Sequence, residues 1–239
     1  MMRVEHIGLA TLCLGKWQDV PNLPRPAAII TDPPYGQKLK TNSGVRSPRP
    51  RPGRSGILKP RAIPYPEGII GDDKPFDPSS ILCLSDIVLL WGAHKFADRL
   101  PQGQFLCWDK IPTGTRRDQG DGEAAWINAP GRPMRIFRHL WNGICTGAGY
   151  ETKNEFSHNT SAQRRVHPTQ KPVDLMAWCI EQARVPSGGL ILDPYMGGGS
   201  TGIAAVRAGH PFIGVECEPQ YFDAACRRIE KAQTQLRAA

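Results

Sequence analysis

Three short stretches of this chain carry groups whose types and spacing could do chemistry. In Asp32-Pro33-Pro34-Tyr35 the two prolines fix the backbone and remove its N–H donors. The Asp32 carboxylate and the Pro33 carbonyl remain as acceptors for one amino group, and Tyr35 offers an aromatic face for a base. An exocyclic amine acting as a nucleophile needs that arrangement. Its lone pair is delocalised into the ring, and acceptors on its hydrogens help to localise it for attack. Standing alone, the tetrapeptide would be read as a rigid proline turn with an Asx cap. The second stretch is Asp193-Pro194-Tyr195-Met196-Gly197-Gly198-Gly199-Ser200-Thr201-Gly202. Consecutive glycines let a backbone approach a ligand closely, and a helix starting there offers free N–H groups to an anion. Gly197, Gly199 and Gly202 also match the GxGxxG pattern, and the acid Glu216 follows the first of them by 19 residues. A nucleoside-type ligand is expected, with a dinucleotide still open at this point. The third stretch, His167-Pro168-Thr169-Gln170-Lys171-Pro172, places a hydroxyl and an ammonium at the start of a helix, with His167 read as structural.

The elements that position these groups alternate between strands and helices. Apolar runs at Ala27–Ile30, Asp86–Gly92, Gln104–Trp108, Leu190–Asp193 and Pro211–Glu216 read as strands. Helices are expected over Pro78–Leu84, His94–Leu100, Pro172–Arg184, Ser200–Ala208 and Pro219–Leu236. From Pro112 to Arg165 the pattern is irregular and glycine-rich, with one strand expected near Arg135–Trp141. Strands that are apolar throughout and alternate with helices imply an α/β fold, a doubly wound, mostly parallel sheet covered on both faces. Ligands of such sheets bind beyond the carboxyl ends of the strands, where both the Asp32 and the Asp193 turns fall.

Composition narrows the function classes. The 239 residues are expected to form a single domain over 1–239. No apolar run reaches the roughly 18 residues of a membrane span, and the first residues lack a signal-peptide layout. The seven dispersed cysteines include no CxxC pair, so reduced thiols in a cytoplasmic setting are expected, and no metal. The net charge is +8, and its whole excess lies between Pro33 and Pro66. That window holds eight basic residues (Lys38, Lys40, Arg46, Arg49, Arg51, Arg54, Lys59, Arg61), no acidic one, and six prolines from Pro48 onward. Such a composition buries too little apolar surface to order itself, so residues 37–66 are read as a mobile basic loop. A one-sign block points to a polyanion, most simply nucleic acid.

Taken together, the three stretches resemble the amino-group DNA methyltransferases that use S-adenosylmethionine. The order, with the catalytic motif ahead of the cofactor motif, resembles their permuted (beta) arrangement. DPPY is similar to the catalytic tetrapeptide, HPTQKP to the motif beside the methionine end of the cofactor, and DPYMGGGSTG to DPF-x-G-x-G-T. The likeness covers about residues 3–38, 67–110 and 165–236, and Ala124–Gly143 resembles small phage and prophage members. It implies a circularly permuted, Rossmann-like methyltransferase sheet with Asp32, Pro33, Pro34 and Tyr35 catalytic. Asp193, Tyr195, Gly197, Gly198, Gly199, Ser200, Thr201 and Glu216 would bind the cofactor, with Thr169 and Lys171 near its carboxylate. In this arrangement the strand beside Glu216 must come from the N-terminus, with His6–Leu14 the candidate. Relatives carry a Gly-Asp pair near its end. Ala10-Thr11 stands here instead, which leaves an adenine contact to backbone or to the Thr11 hydroxyl.

Asp at the first catalytic position goes mostly with adenine N6 in the resemblance, and Ser with cytosine N4. The function expected is therefore methyl transfer to adenine N6 in double-stranded DNA. N4-cytosine methylation and a catalytically inactive DNA-binding relative are the alternatives, and a homodimer is left open. A dehydrogenase would need a second mononucleotide half after the glycine loop, and only one strand follows it. A zinc deaminase would need a metal signature that is absent from the sequence. The expected DNA contacts are Lys38, Lys40, Arg46, Arg49, Arg51, Arg54, Arg116 and Arg117. Residues 112–165 would read the target, with Arg132, Arg135, Arg138 and Asn142 also available. The absence of a cognate nuclease motif suggests a solitary enzyme in a bacterial or phage-infected cell.

Overall fold

A computed structural model describes residues 2–38, 68–111, 120–129, 131–141, 145–147, 157–158 and 166–237. In chain order the strands and helices are β1 (Arg3–Ile7), β2 (Ala10–Leu14), β3 (Ala28–Thr31), α1 (Ser79–Leu82), β4 (Val88–Trp91), β5 (Gln104–Asp109), β6 (Gly122–Ile127) and β7 (Arg135–Arg138). They continue with β8 (Leu140–Trp141), β9 (Cys145–Gly147), β10 (Ser157–His158), α2 (Val173–Ala183), β11 (Ile191–Asp193), α3 (Ser200–Arg207), β12 (Phe212–Glu216) and α4 (Pro219–Arg237). One sheet runs β1-β2-β12-β11-β3-β4-β6-β5-β7, and β10-β9-β8 form a separate small sheet. From β2 through β4 all neighbours are parallel; β6 is antiparallel to both β4 and β5, and β1 to β2.

The central strands are buried on both faces, which is why their sequences show no polar alternation. Successive residues still point to opposite sides. Ile30, Leu89, Trp91 and Ile191 pack with Leu175, Cys179, Ile203, Phe222 and Ile229 of α2, α3 and α4. Ile29, Val88, Leu90 and Leu192 pack instead with Trp17, Phe76, Ile81 and Phe96. Among the described residues the long helices thus cover one face, while α1 and short 3-10 turns cover the other.

Several boundaries differ from expectation. His6–Leu14 is not one strand but the β1–β2 hairpin, turned at Gly8 and Leu9, and only β2 lies parallel beside β12. The helix expected over His94–Leu100 is two 3-10 turns, Ala93–Lys95 and Ala97–Arg99. Most of its positions are exposed and only Phe96 is buried, so no continuous apolar stripe supports a helix. The strand expected near Arg135–Trp141 divides into β7 and β8 at His139. Most unexpectedly, β6 lies inside the stretch read as irregular, because its Gly-Glu-Ala-Ala start carries no β-branched residue. Neighbouring β4 and β5 decide its state by pairing with it along its length.

Candidate active site

The carboxyl ends of β2, β12, β11 and β3 border one cavity of about 710 Å³. Asp32 to Tyr35 follow β3 directly, Asp193 ends β11, and Glu216 ends β12. The apolar strands carry these acids to the sheet edge, and the loops beyond them turn the carboxylates into the cavity.

The catalytic-motif turn is held from two sides. Asp72, itself buried, accepts on Oδ1 the backbone N–H groups of Tyr35 (3.1 Å), Gly36 (2.8 Å) and Gln37 (3.0 Å). Its carbonyl accepts the Lys38 N–H at 2.8 Å. From the other side Gly92, at φ +71°, leaves the space that the Tyr35 ring fills; a Cβ there would stand 2.0 Å from ring atom Cε1. The Tyr35 hydroxyl donates to Asp32 Oδ1, and the Lys171 ammonium donates to Asp32 Oδ2 at 2.6 Å. Lys171 also stands 3.0 Å from Glu123 Oε2, and Lys110 pairs with Glu123 Oε1. Burial pushes the Asp32 carboxyl above its ordinary range, against the opposing pull of Lys171. Burial also opposes the Lys171 charge, but Asp32 and Glu123 outweigh it and hold the ammonium well above its usual value.

On the β11 side, Asp193 Oδ1 accepts the Thr31 hydroxyl at 2.6 Å and the Tyr195 N–H at 3.1 Å. Burial lifts Asp193 to about 6 despite these donors and the Thr201 hydroxyl. Glu216 Oε2 accepts the Gly197 N–H and Oε1 the Glu218 N–H, each at 2.8 Å. Burial raises it too, against those backbone donors. Neither acid has an ion-pair partner among the described residues. Two buried carboxylates, the 197–198 backbone and the rings of Trp17, Phe76 and Tyr195 therefore line the same cavity. That donor set suits a cationic ligand with hydroxyls to donate and a flat ring to cover.

The structure brings most of the expected site residues to this cavity, and moves some elsewhere. Asp32, Pro33, Pro34, Tyr35, Thr169, Lys171, Asp193, Tyr195, Gly197, Gly198, Ser200, Thr201 and Glu216 all line it. Gly199 does not. At φ +77° it turns the chain into α3, and a Cβ there would meet Ala225 of α4 at 2.9 Å. It serves packing, as does Gly202, where a Cβ would crowd Ile229 and Phe212 at 2.7 Å. Thr11 is likewise away from the cavity, with its hydroxyl 3.1 Å from His6 Nδ1. The register puts Leu14 beside Glu216, so Gly15 to Gln18 reach the ligand edge instead. Thr169 touches the His167 ring at 3.2 Å, and the Lys171 ammonium is committed to Asp32 and Glu123. Ser200 donates to the Lys171 carbonyl at 2.7 Å. Among the residues expected to read the target, Arg132 donates to the Gln182 carbonyl at 2.9 Å, Arg135 is exposed on β7, and Arg138 lies 3.9 Å from Asp109. Lys38 lies at the foot of the catalytic turn; Lys40, Arg46, Arg49, Arg51, Arg54, Arg116, Arg117 and Asn142 fall outside the described residues.

Four contributors carry no motif: Glu123, Asp72, Gly92 and Trp17. An acid at the start of a strand and a glycine after one are common, so composition did not single them out. Among the described residues no group of His, Cys, Asp or Glu is placed to hold a metal, and no helix is long and apolar enough to cross a membrane.

The chain is similar to known proteins. The chain is 45% identical over 64 residues to the type II methyltransferase M2.DpnII of Streptococcus pneumoniae, a match covering 27% of this chain and 24% of that protein. It is 41% identical over 68 residues to the type II methyltransferase M2.LlaDCHI of Lactococcus lactis subsp. cremoris, over 28% of this chain and 25% of that protein. The chain thus matches about a quarter of the length of these two relatives. The PvuII DNA methyltransferase, which is cytosine-N4-specific, has the same fold, with a TM-score of 0.50 at 14% identity over 96% of this chain and 93% of that one. The N6/N4 family, described as DNA methylase, matches residues 87–227, more than half of the sequence, and this chain belongs to that family.

Proposed function

We propose that the chain methylates adenine N6 in double-stranded DNA, with S-adenosylmethionine as methyl donor. The observation that carries this reading is the meeting of the Asp32–Tyr35 turn with the Asp193 and Glu216 carboxylates around one cavity. S-adenosylmethionine is a sulfonium cation with ribose hydroxyls and an adenine ring, which is what that donor set suits. Glu216 and the 197–198 backbone would hold its ribose side, and Trp17 and Tyr195 its ring. When bound it supplies an electrophilic methyl group. Asp32 and the Pro33 carbonyl would accept the hydrogens of the target amine and aim its lone pair at that methyl. Transfer would form the amine N–C bond at the expense of the donor's S–C bond, and Asp32 or water would take the amine proton. No thiol is required, since the amine is itself the nucleophile.

The fold supports a permuted (beta) arrangement, because β2 precedes the catalytic turn in the chain yet lies parallel to β12. We read 1–239 as one domain, 37–66 as the segment that holds phosphates, and 112–165 as the region that reads the target. The Ala124–Gly143 resemblance suggests a phage or prophage origin, acting in the host cytoplasm. The target base would leave the duplex and stack on Tyr35, which costs a few kcal/mol of unpairing.

The test is sequencing for modified bases on DNA exposed to the protein, with two variants. Asp32→Ala should abolish transfer while cofactor binding, measured by calorimetry, persists. Glu216→Ala should weaken that binding by about 1–3 kcal/mol through unpaired hydroxyls. N4-methylcytosine in the product would correct the base assignment, and cofactor binding without any DNA methylation would leave an inactive relative.

A further inference from the structure

A chain of charges reaches into the cavity and joins two motif residues to two that carry no motif. Asp32, Lys171, Glu123 and Lys110 form a chain of contacts running Asp32 Oδ2, Lys171 Nζ, Glu123, Lys110 Nζ. Lys171 is only 6% exposed at its side chain, and Glu123 23%. Lys171 comes from the segment leading into α2, Glu123 from β6 and Lys110 from just after β5, so three separate elements form the chain of contacts that ends on Asp32. The Lys171 ammonium also sits 5.6 Å above the Trp91 ring, a face that favours a cation. We propose that Glu123 and Lys171 are positioning residues for Asp32. Lys171 keeps the Asp32 carboxylate ionised and fixes Oδ2, and Glu123 holds Lys171 in place. This inference rests on the reading of Asp32 as the group that meets the target amine.

The division of labour follows from the hydrogen bonds. Both Asp32 oxygens are taken, Oδ1 by the Tyr35 hydroxyl and Oδ2 by Lys171. A target amine meeting Asp32 would take the place of the Tyr35 hydroxyl on Oδ1, while Lys171 stays on Oδ2. A buried carboxylate without a cation would hold its proton, accept from the amine only as a neutral acid, and be unable to take the amine proton. Glu123 is suited to the outer role because Lys171 and Lys110 overcome its burial and hold it at about 2, so it is charged at any working pH. Without Glu123, the flexible Lys171 stem would answer to Asp32 alone. The other titratable groups around the cluster are Tyr35 on the turn, Asp193 on β11, His94 after β4, His167 ahead of Lys171 and Cys179 on α2, whose thiol burial holds protonated. His167 is held neutral at about 3 by burial and by Lys171.

The experiment uses the full chain and reads two quantities. The first is the acidic limb of the pH profile of kcat for methyl transfer. Lys171→Gln should move that limb to higher pH, because Asp32 loses its cation. Glu123→Gln should move it to lower pH, because a nearby negative charge disappears while Lys171 remains. Lys171→Arg, which keeps the charge, should return the limb towards the parent. A purely structural role would not move the limb in opposite directions. The second readout is the carboxyl 13C titration of Asp32 in cofactor-free protein labelled at aspartate, assigned by its loss in Asp32→Asn. It should shift with the same signs. Limbs and titrations that stay put, or move together in both glutamine variants, overturn the proposal. The titration needs no turnover, so a parent without methyl transfer would sink the functional reading and leave this network still tested. Circular dichroism melts show whether each variant folds; Lys171→Met, with the same limb shift expected, replaces Lys171→Gln if that variant does not, and Glu123→Asp replaces Glu123→Gln. Glu123→Asp shortens the reach to Lys171, so it should lower kcat and leave the limb nearer the parent's than Lys171→Gln does.

Discussion

The Thr31 hydroxyl donates to Asp193 Oδ1 at 2.6 Å, joining the last residue of β3 to the last residue of β11. The strand that delivers the Asp32–Tyr35 turn is thereby tied to the strand that delivers one of the cavity's buried acids. This buried bond extends the β3–β11 backbone pairing to the strand ends, where the two halves of the site begin.

That bond predicts a pH signature. Asp193 is held at about 6, above the ordinary carboxylate value of about 3.9. Between those values the folded chain binds more protons than the unfolded one, so stability falls as pH rises through the window. The parent should therefore gain in Tm relative to Asp193→Asn as the pH is lowered from about 7 to about 4.5. Thr31→Val should cost about 1–3 kcal/mol by leaving the acid short of a donor, and should steepen the same trend. A difference between parent and Asp193→Asn that does not depend on pH contradicts the burial argument.

Gly92→Ala tests the seat of Tyr35. The added Cβ would stand 2.0 Å from the ring, at a backbone φ of +71° that alanine resists. The ring must move, and a misplacement of that size costs on the order of 100-fold in rate. We expect kcat/KM for DNA to fall by about that factor, with cofactor affinity by calorimetry nearly unchanged. Equal losses in both would mean that the substitution damages the fold.

Asp72→Ala tests the anchor of the catalytic turn. Three backbone N–H groups lose their common acceptor, while Asp72→Asn keeps an oxygen in place. Activity should fall in the order parent, Asn, Ala, with the alanine variant losing about 1–3 kcal/mol of stability. An alanine variant as active as the parent would show that the prolines alone hold the turn.

The basic segment predicts a salt effect. Each phosphate neutralised contributes a slope of about −0.9 to the dependence of log affinity on log salt. Replacing Arg46, Arg49, Arg51 and Arg54 by Ala should weaken binding to target and non-target duplexes alike, and flatten that slope. Fluorescence anisotropy across a salt series reads both. Parent-like affinity and slope would reduce the segment to a linker.

The sequence by itself determined the strands of the sheet centre, since runs such as Ile29-Ile30 and Leu89-Leu90 admit no exposed face. It also determined the two acid-bearing turns, because prolines and glycines act on their own backbone and need no partner. Tertiary structure decided what depends on contacts between distant residues. β6 is a strand because β4 and β5 flank it, so Glu123 reaches Lys171 from 48 residues away. Thr11 has the right chemistry for a ligand contact, yet the β2–β12 register sets it three positions short of Leu14, which pairs with Glu216. Gly199 belongs to a ligand motif by spacing and to the α3–α4 packing by position. Lys171 reads as a cation at a helix start, and only the approach of β3 and β6 makes it the partner of Asp32. Local propensity acts over a few residues, whereas charges and packing act across space, so the site's motifs were legible and its wiring was not.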